Sequence, residues 1–460
     1  MLDDLRPYPD YKDSGVPWLM RVPAHWNVQR LKREAEINPS KSEVSQALAE
    51  DMPVTFLPME RVQVNGLIDT RDTRPARSVW NGFTYFRRGD VLIAKITPCF
   101  ENGKGACLES LPTECGFGWT EFIVLRTRGR ALPQFLYRIT TLPEFRTLGA
   151  DAMTGAAGQQ RVPQSFVENF PAPFPPIEEQ SAIVRFLDHS DRLIRRFIAG
   201  KRRLIALLNE QKQAIIQRAV TRGLDTNVRL KPSGIEWIGD TPEHWEVKRL
   251  KWVTRLQRGY DLPQDNRKPG MIPVVSSGGI IDTHSEARAT GPGVVIGRYG
   301  STDAVFFLES DFWPHNTALF VTDFQDNEPR WCFYLLRAIS KSDYAAKSAV
   351  PGVDRKDLYE IYVPRAPRKE QVDLIRRLEE RLVAVDSSIE HNRREIDLVR
   401  EYRTRLISDV VTGKLDVRGV ALPELEESEE PLPAVDEIAD AISEEEQELE
   451  AVEETADAGD

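Results

Sequence analysis

The chain has 460 residues, room for about three compact domains at ~150 residues each. It is 41% hydrophobic and 29% charged, with a mean hydropathy of -0.41 and no run near the ~18 apolar residues of a membrane helix. A soluble globular protein with sizeable cores is expected, and membrane and secreted classes are disfavoured. Lys and Arg number 61 against 72 Asp and Glu, a net charge of -11, but residues 421–460 hold 17 acidic and no basic side chains. The first 420 residues are left with 61 basic against 55 acidic groups, a balance of +6 that permits a nucleic-acid partner without proving one.

The opening MLDDLRPYPDYKDSG has neither a basic nor an apolar segment, so no secretion signal is expected. Residues 12–32 follow with Lys12, Ser14, Gly15, Trp18, Pro23, His25, Trp26, Val28, Arg30, Leu31 and Lys32. All eleven return, without a gap, at a constant offset of 219 in residues 231–251, as Lys231 through Lys251. Such an internal repeat dictates how the fold is read. Residues 33–172 alternate short apolar runs with turn residues, and Val91–Ala94 followed by Lys95 reads as a buried strand ending in a cation. The cysteines Cys99, Cys107, Cys115 and Cys332 form no C-x-x-C pair, which favours a reduced, cytoplasmic protein without zinc or disulfides.

A proline-marked lead-in, Pro173 to Gln180, then opens a long proline-free charged segment. It repeats at an offset of 191 from Pro364, Pro367, Glu370 and Gln371 to Val411, Thr412, Leu415 and Asp416. Composition predicts two helices of about forty residues. Leu187, Ile194, Ile198, Ile205, Leu208, Ile215 and Ala219 in the first, and Leu378, Val385, Ile389, Ile396, Val399, Leu406 and Val410 in the second, recur in steps of three and four. That is a coiled-coil seam, with polar interruptions at Lys201, Lys212, Asn392 and Arg403. A rod of ~60 Å outruns a domain of this size, so the two helices are expected to pack on each other as a spacer. Residues 185–222 hold ten basic and three acidic side chains and residues 369–414 ten of each. The first helix therefore lies nearer phosphates, docks an acidic partner, or simply presents a solvated face. Between the helices, residues 252–363 repeat the strand-and-turn layout, with Val294–Gly297 followed by Arg298 as the counterpart strand.

The two W-x-x-x-x-P-x-H-W-x-V-x-R-L-K segments, the P-P-I-E-E-Q lead-in at Pro175–Gln180 and the closing Gly413–Arg418 resemble the specificity subunits of type I restriction–modification systems, over nearly all of residues 9–416. The second lead-in, Pro367–Gln371, and Met20–Arg21 in place of Gly239–Asp240 depart slightly from the pattern. The resemblance implies an α+β fold with two similar target-recognition domains held apart by two long antiparallel coiled-coil helices. The corresponding division is residues 1–175 and 226–366 for the domains, 176–225 and 367–418 for the helices, and 419–460 for an acidic tail. It further implies a non-catalytic subunit that reads a bipartite double-stranded DNA target. Two adenine methyltransferase subunits would carry S-adenosylmethionine, and two nuclease/translocase subunits would use ATP and Mg, so this chain itself binds no cofactor. The tail, acidic and poor in large apolar groups, is expected to be disordered.

Reading bases requires forked side chains on stiff supports: Arg or Lys for guanine, Asn or Gln for adenine. In the first domain the candidates are Arg71, Arg74, Arg77, Lys95, Asn102 and Lys104, with Gln159, Gln160 and Arg161 near its end. In the second they are Arg258, Tyr260, Gln264, Asn266, Arg267, Ser276, Ser277, His284, Arg298, Tyr299 and His315. Each has a plain alternative as a solvated surface residue. No G-x-S-x-G elbow, phosphate-binding loop, H-E-x-x-H or amino-methyltransferase N/D-P-P-Y/F motif occurs. The D-x-K and E-x-K triplets at Asp10, Glu210 and Glu246 arise by chance in so charged a chain. A stand-alone DNA methylase or nuclease with an unrecognised site, and a pure scaffold, are the rival classes.

Overall fold

The computed structural model describes residues 5–423 apart from 65, 157, 300–302 and 340–351, so the disorder expected of the acidic tail lies almost wholly outside the described residues. The described residues divide into two compact units, one of residues 5–198 with 396–423, the other spanning Ala199–Glu395. The cut falls inside both long helices rather than at their ends. Each globular part buries its apolar face against helix segments and shares one core with them. Among the described residues no helix is long and apolar enough to cross a membrane.

In the first unit a four-stranded antiparallel sheet runs Ala35–Ile37, Phe122–Thr127, Val91–Ala94, Gly105–Cys107. A second sheet runs Thr73–Pro75, Pro53–Leu57, Cys115–Gly118, Thr84–Arg87, with its middle two strands parallel. In the other unit the order Arg255–Arg258, Ala318–Asp323, Gly293–Gly297, Val305–Leu308 repeats the first arrangement. A parallel pair also recurs there, between Ile272–Ser276 and Trp313–Pro314. The two strands expected to be buried are buried at every residue, Val91–Ala94 and Gly293–Gly297 alike. Covered on both faces, they read as continuous apolar runs instead of an alternation.

The helices span Ile177–Arg222 and Arg368–Val411, each beginning at the proline lead-in, whose ring pre-sets the first turn. Leu187, Ile194, Ala219, Leu378, Val385, Ile389, Ile396, Leu406 and Val410 are buried, and the remaining seam positions are half-buried. Three of the polar interruptions meet carboxylates. In the first unit Arg403 Nε donates to Asp191 at 2.7 Å; in the second Lys201 pairs with Glu395 at 2.7 Å and Lys212 with Asp386. Partner numbers fall as helix numbers rise, so within the second unit the helix segments run in opposite directions.

The repeated motif works as a clamp. In the first unit Glu179, in the first turn of its helix, accepts hydrogen bonds from Trp26 Nε1 at 2.9 Å and the Tyr8 hydroxyl at 2.5 Å, and lies 2.8 Å from His25 Nε2. In the second, Glu370 accepts from Trp245 Nε1 at 3.1 Å and lies 2.8 Å from His244 Nε2. The following glutamine ties the helix to the globular part. Gln180 donates to the Pro175 carbonyl at 2.9 Å and accepts from Leu132 N–H at 2.8 Å; Gln371 donates to Ala366 and accepts from Glu328 N–H, each at 2.8 Å. Two turns on, Arg138 donates to Asp188 at 2.6 Å, and at the repeat-equivalent position Arg330 donates to Glu379 at 2.9 Å. Trp26 also packs against Gly413 at the end of the second helix, and Trp245 against Gly223 at the end of the first. Each unit thus joins the start of one long helix to the end of the other. The departure at Met20 has a backbone reason: Met20 and Gly239 both turn through left-handed conformations, φ +52° and +64°.

Candidate nucleic-acid interface

The site is built where the buried central strand of each unit ends. In the first unit the chain leaves Val91–Ala94 at Lys95 and loops through Asn102 and Lys104 before the hairpin strand Gly105–Cys107. A second segment closes on this loop: Thr97 N–H donates to Gln160 O at 3.0 Å and Val162 N–H to Lys95 O at 2.8 Å. Lys95, Asn102, Lys104, Gln159, Gln160 and Arg161 therefore come together from residues some sixty positions apart. Asn102 and Gln159 are exposed and the other four half-buried. Arg161 forks onto Glu121 through two 2.9 Å hydrogen bonds, and this guanidinium, against partial burial, holds the Glu121 carboxyl below its ordinary range. Lys104 Nζ lies 3.4 Å from the Met59 carbonyl.

Arg71, Arg74 and Arg77 sit elsewhere in that unit, around the sheet strand Thr73–Pro75. Arg71, 86% exposed, is held by Asp69 at 2.8 and 2.9 Å. Arg74 lies 3.7 Å over the Phe56 ring and bonds Asp72 at 3.1 Å. Arg77 is exposed and engaged within its own unit. Its fork is spent on the Leu48 and Ala49 carbonyls, at 3.4 and 3.1 Å, where it closes the end of the helix Ser45–Ala49.

In the second unit Gly293–Gly297 ends at Arg298 and Tyr299, and Val353 N–H donates to the Arg298 carbonyl at 2.8 Å. Val353 stands 191 residues after Val162, so Lys95 and Arg298 occupy matching places in the two units. The Arg298 guanidinium stacks on the Tyr299 ring at 4.5 Å, and among the described residues its buried Nη1 has no hydrogen-bond partner. The turn Pro314–Thr317 gathers the neighbours. Arg258 Nε donates to Asn316 O at 3.2 Å, Tyr260 N–H to Pro314 O at 2.8 Å and Ser277 N–H to Thr317 Oγ1 at 3.3 Å. His315 Nδ1 lies 3.2 Å from the same hydroxyl. Burial, with Arg267 nearby, lowers the His315 pKa and so favours the neutral imidazole, which offers one donor and one acceptor. Gln264 and Asn266 are exposed on a short 3-10 turn, and Arg267 is engaged by Asp282 at 3.0 Å.

Two expected contact residues are interior. Ser276 is 7% exposed; its hydroxyl donates to Gly279 O and accepts from Gly278 N–H, both at 3.2 Å, closing a hairpin turn. His284, 3% exposed, accepts from Lys268 N–H at 2.9 Å and meets Trp313 edge-on at 5.2 Å. Buried polar groups must find partners inside, and these have done so. Sequence reasoning passed over Glu121, which fixes Arg161, and Thr317, around which the second site turns; neither carried a motif or a repeat.

The forked and amide side chains gathered at the strand ends of the two units are of the types that can contact base edges and phosphates. Residues 242–396 match the family described as Type I restriction modification DNA specificity domain. The chain is 37% identical over 187 residues to the type I restriction enzyme EcoAI specificity subunit of Escherichia coli, and 39% identical over 166 residues to the EcoEI specificity subunit of the same organism. These matches cover 39% and 35% of this chain and only 30% and 27% of the relatives' lengths. The fold is similar, with a TM-score of 0.63 at 17% identity, to a solved chain described under complex assembly and conformational transition of the type I R-M system, covering 85% of this chain and 98% of that one. Residues 242–396 thus match a type I specificity domain, and the chain is similar over part of its length to type I restriction enzyme specificity subunits.

Proposed function

We propose that this chain is the DNA-reading, non-catalytic subunit of a cytoplasmic type I restriction–modification complex. Each unit reads one half of a bipartite double-stranded target, and the two long helices form an antiparallel coiled-coil spacer between the readers. Two adenine methyltransferase subunits dock on this scaffold with S-adenosylmethionine, and nuclease/translocase subunits with ATP and Mg join them. The observation that carries the reading is the duplicated clamp. His25–Trp26 on Glu179 and His244–Trp245 on Glu370 seat two globular parts on two helices in the same way, while the side chains at their strand ends differ. Equal mounts under different readers suit a target made of two unlike halves.

The test is methylation mapping. The chain co-expressed with an adenine methyltransferase subunit of a type I system is expected to give a two-part methylated motif, and neither protein alone should give one. Robust methylation or cleavage by this chain without partners would overturn the proposal in favour of an enzyme.

A further inference from the structure

One cation beside the first reading loop has no role in the function proposed above. Arg146, on the helix Pro143–Asp151, presses its guanidinium against the backbone of Gly103. A Cβ at Gly103 would lie 1.9 Å from Cζ of Arg146 and 2.1 Å from both terminal nitrogens. Gly103 also turns through φ +75°, a backbone conformation that favours glycine between Asn102 and Lys104, whereas the close contact itself is with the movable end of the Arg146 side chain. Arg146, Lys104 and Tyr137 line a cavity of only about 10 Å³ at the foot of this loop.

The more deeply buried Arg126 and Arg138 of the same unit are neutralised, Arg126 by Asp90 and Glu43, Arg138 by Asp188 and Asp191. Arg146 differs. Among the described residues its buried Nε has no hydrogen-bond partner, and the titratable groups acting on it are Tyr137 and Arg403, with no carboxylate among them. Burial, reinforced by Arg403, lowers its pKa. An unpaired, half-buried cation costs stability, and it stands beside the loop that carries the DNA candidates. We propose that Arg146 is a phosphate-binding residue of the first unit, receiving a DNA backbone phosphodiester at the foot of the Asn102–Lys104 turn. The planar fork of a guanidinium suits phosphate oxygens, and the missing negative charge is the one that DNA brings.

This rests on the DNA-reading function, and the experiment separates the two. The chain assembled with its methyltransferase subunit is titrated with a linear duplex at rising salt. In Arg146→Gln the slope of log affinity against log salt should become shallower by about 0.9, the loss of one phosphate contact. Arg146→Lys should keep the wild-type slope, and the methylated motif should be unchanged in both, because phosphate contacts carry no sequence information. Arg146→Met should melt no lower than wild type, since it removes an unpaired charge. An unchanged slope in Arg146→Gln overturns the inference. So does a melting point several degrees lower in Arg146→Met, which would make the residue structural. Loss of methyltransferase association at an unchanged slope would assign the cation to a carboxylate of the partner and overturn it too. A wild-type complex that binds the duplex but methylates no two-part motif refutes the function reading, while the slope comparison still stands.

Discussion

Glu179 and Glu370 occupy equivalent places in the repeat, yet the structure makes them unequal. Glu179 is 5% exposed and takes hydrogen bonds from two buried donors, Trp26 Nε1 and the Tyr8 hydroxyl; Glu370 is 36% exposed and serves one buried donor, Trp245 Nε1. Replacing either with alanine strands those donors. An unsatisfied buried donor costs ~1–3 kcal/mol, so Glu179→Ala should cost about 4 kcal/mol and Glu370→Ala about 2. For units of this size each kcal/mol moves the melting temperature by ~2–4 °C, which makes a gap of roughly 4–8 °C between the variants. Calorimetry of the purified chain, with tryptophan fluorescence followed in parallel, reads that gap. Glu179→Gln, which keeps an acceptor oxygen, should lose about half as much as the alanine variant. Equal losses at the two positions, or a larger one at Glu370, would refute the argument that burial and donor number set the strength of the clamp.

Met20→Gly should stabilise the chain by about 1 kcal/mol, because the second copy already uses glycine for the same left-handed turn; an unchanged or lower melting point counts against this. Asp191 lies between Arg138 and Arg403, and although burial pushes its carboxyl up, the two guanidinium groups outweigh this and hold it below the usual range. Its contribution is therefore present above the unfolded carboxylate value near ~3.9 and lost as pH falls through the lower folded one. Asp191→Asn should cost ~3–5 kcal/mol at neutral pH, with the gap to wild type closing below about pH 4 in denaturant titrations. Lys95→Ala with Lys104→Ala should relax one half of the methylated motif and Arg298→Ala the other; disturbance of both halves by either would reduce these residues to phosphate or structural roles. Deleting the heptad Ala199–Ile205 removes ~10 Å of helix and should shorten the gap between half-sites by at most about three base pairs, with the half-sites themselves unchanged. An active variant with the original gap would refute the spacer as a ruler.

Periodicity and repetition were legible without coordinates because they depend on neighbours in the chain. The three-and-four stepping from Leu187 to Ala219 marks a helix face, and Val91–Ala94 marks a strand covered on both sides, since each pattern reports the local environment of consecutive residues. The recurrence of Trp26, His25 and Glu179 as Trp245, His244 and Glu370 was also visible, but not that these residues hold one another across more than a hundred positions. Side-chain fate at the interface was decided by tertiary packing alone. Arg77 reads as a free surface cation and is spent on a helix end; Ser276 and His284 read as turn polars and are interior. Arg146, alone on a short helix, gave no sign of its place against Gly103. Hydrogen-bond partners and burial depend on which distant segments arrive at the same point, and that is settled only when the chain has folded.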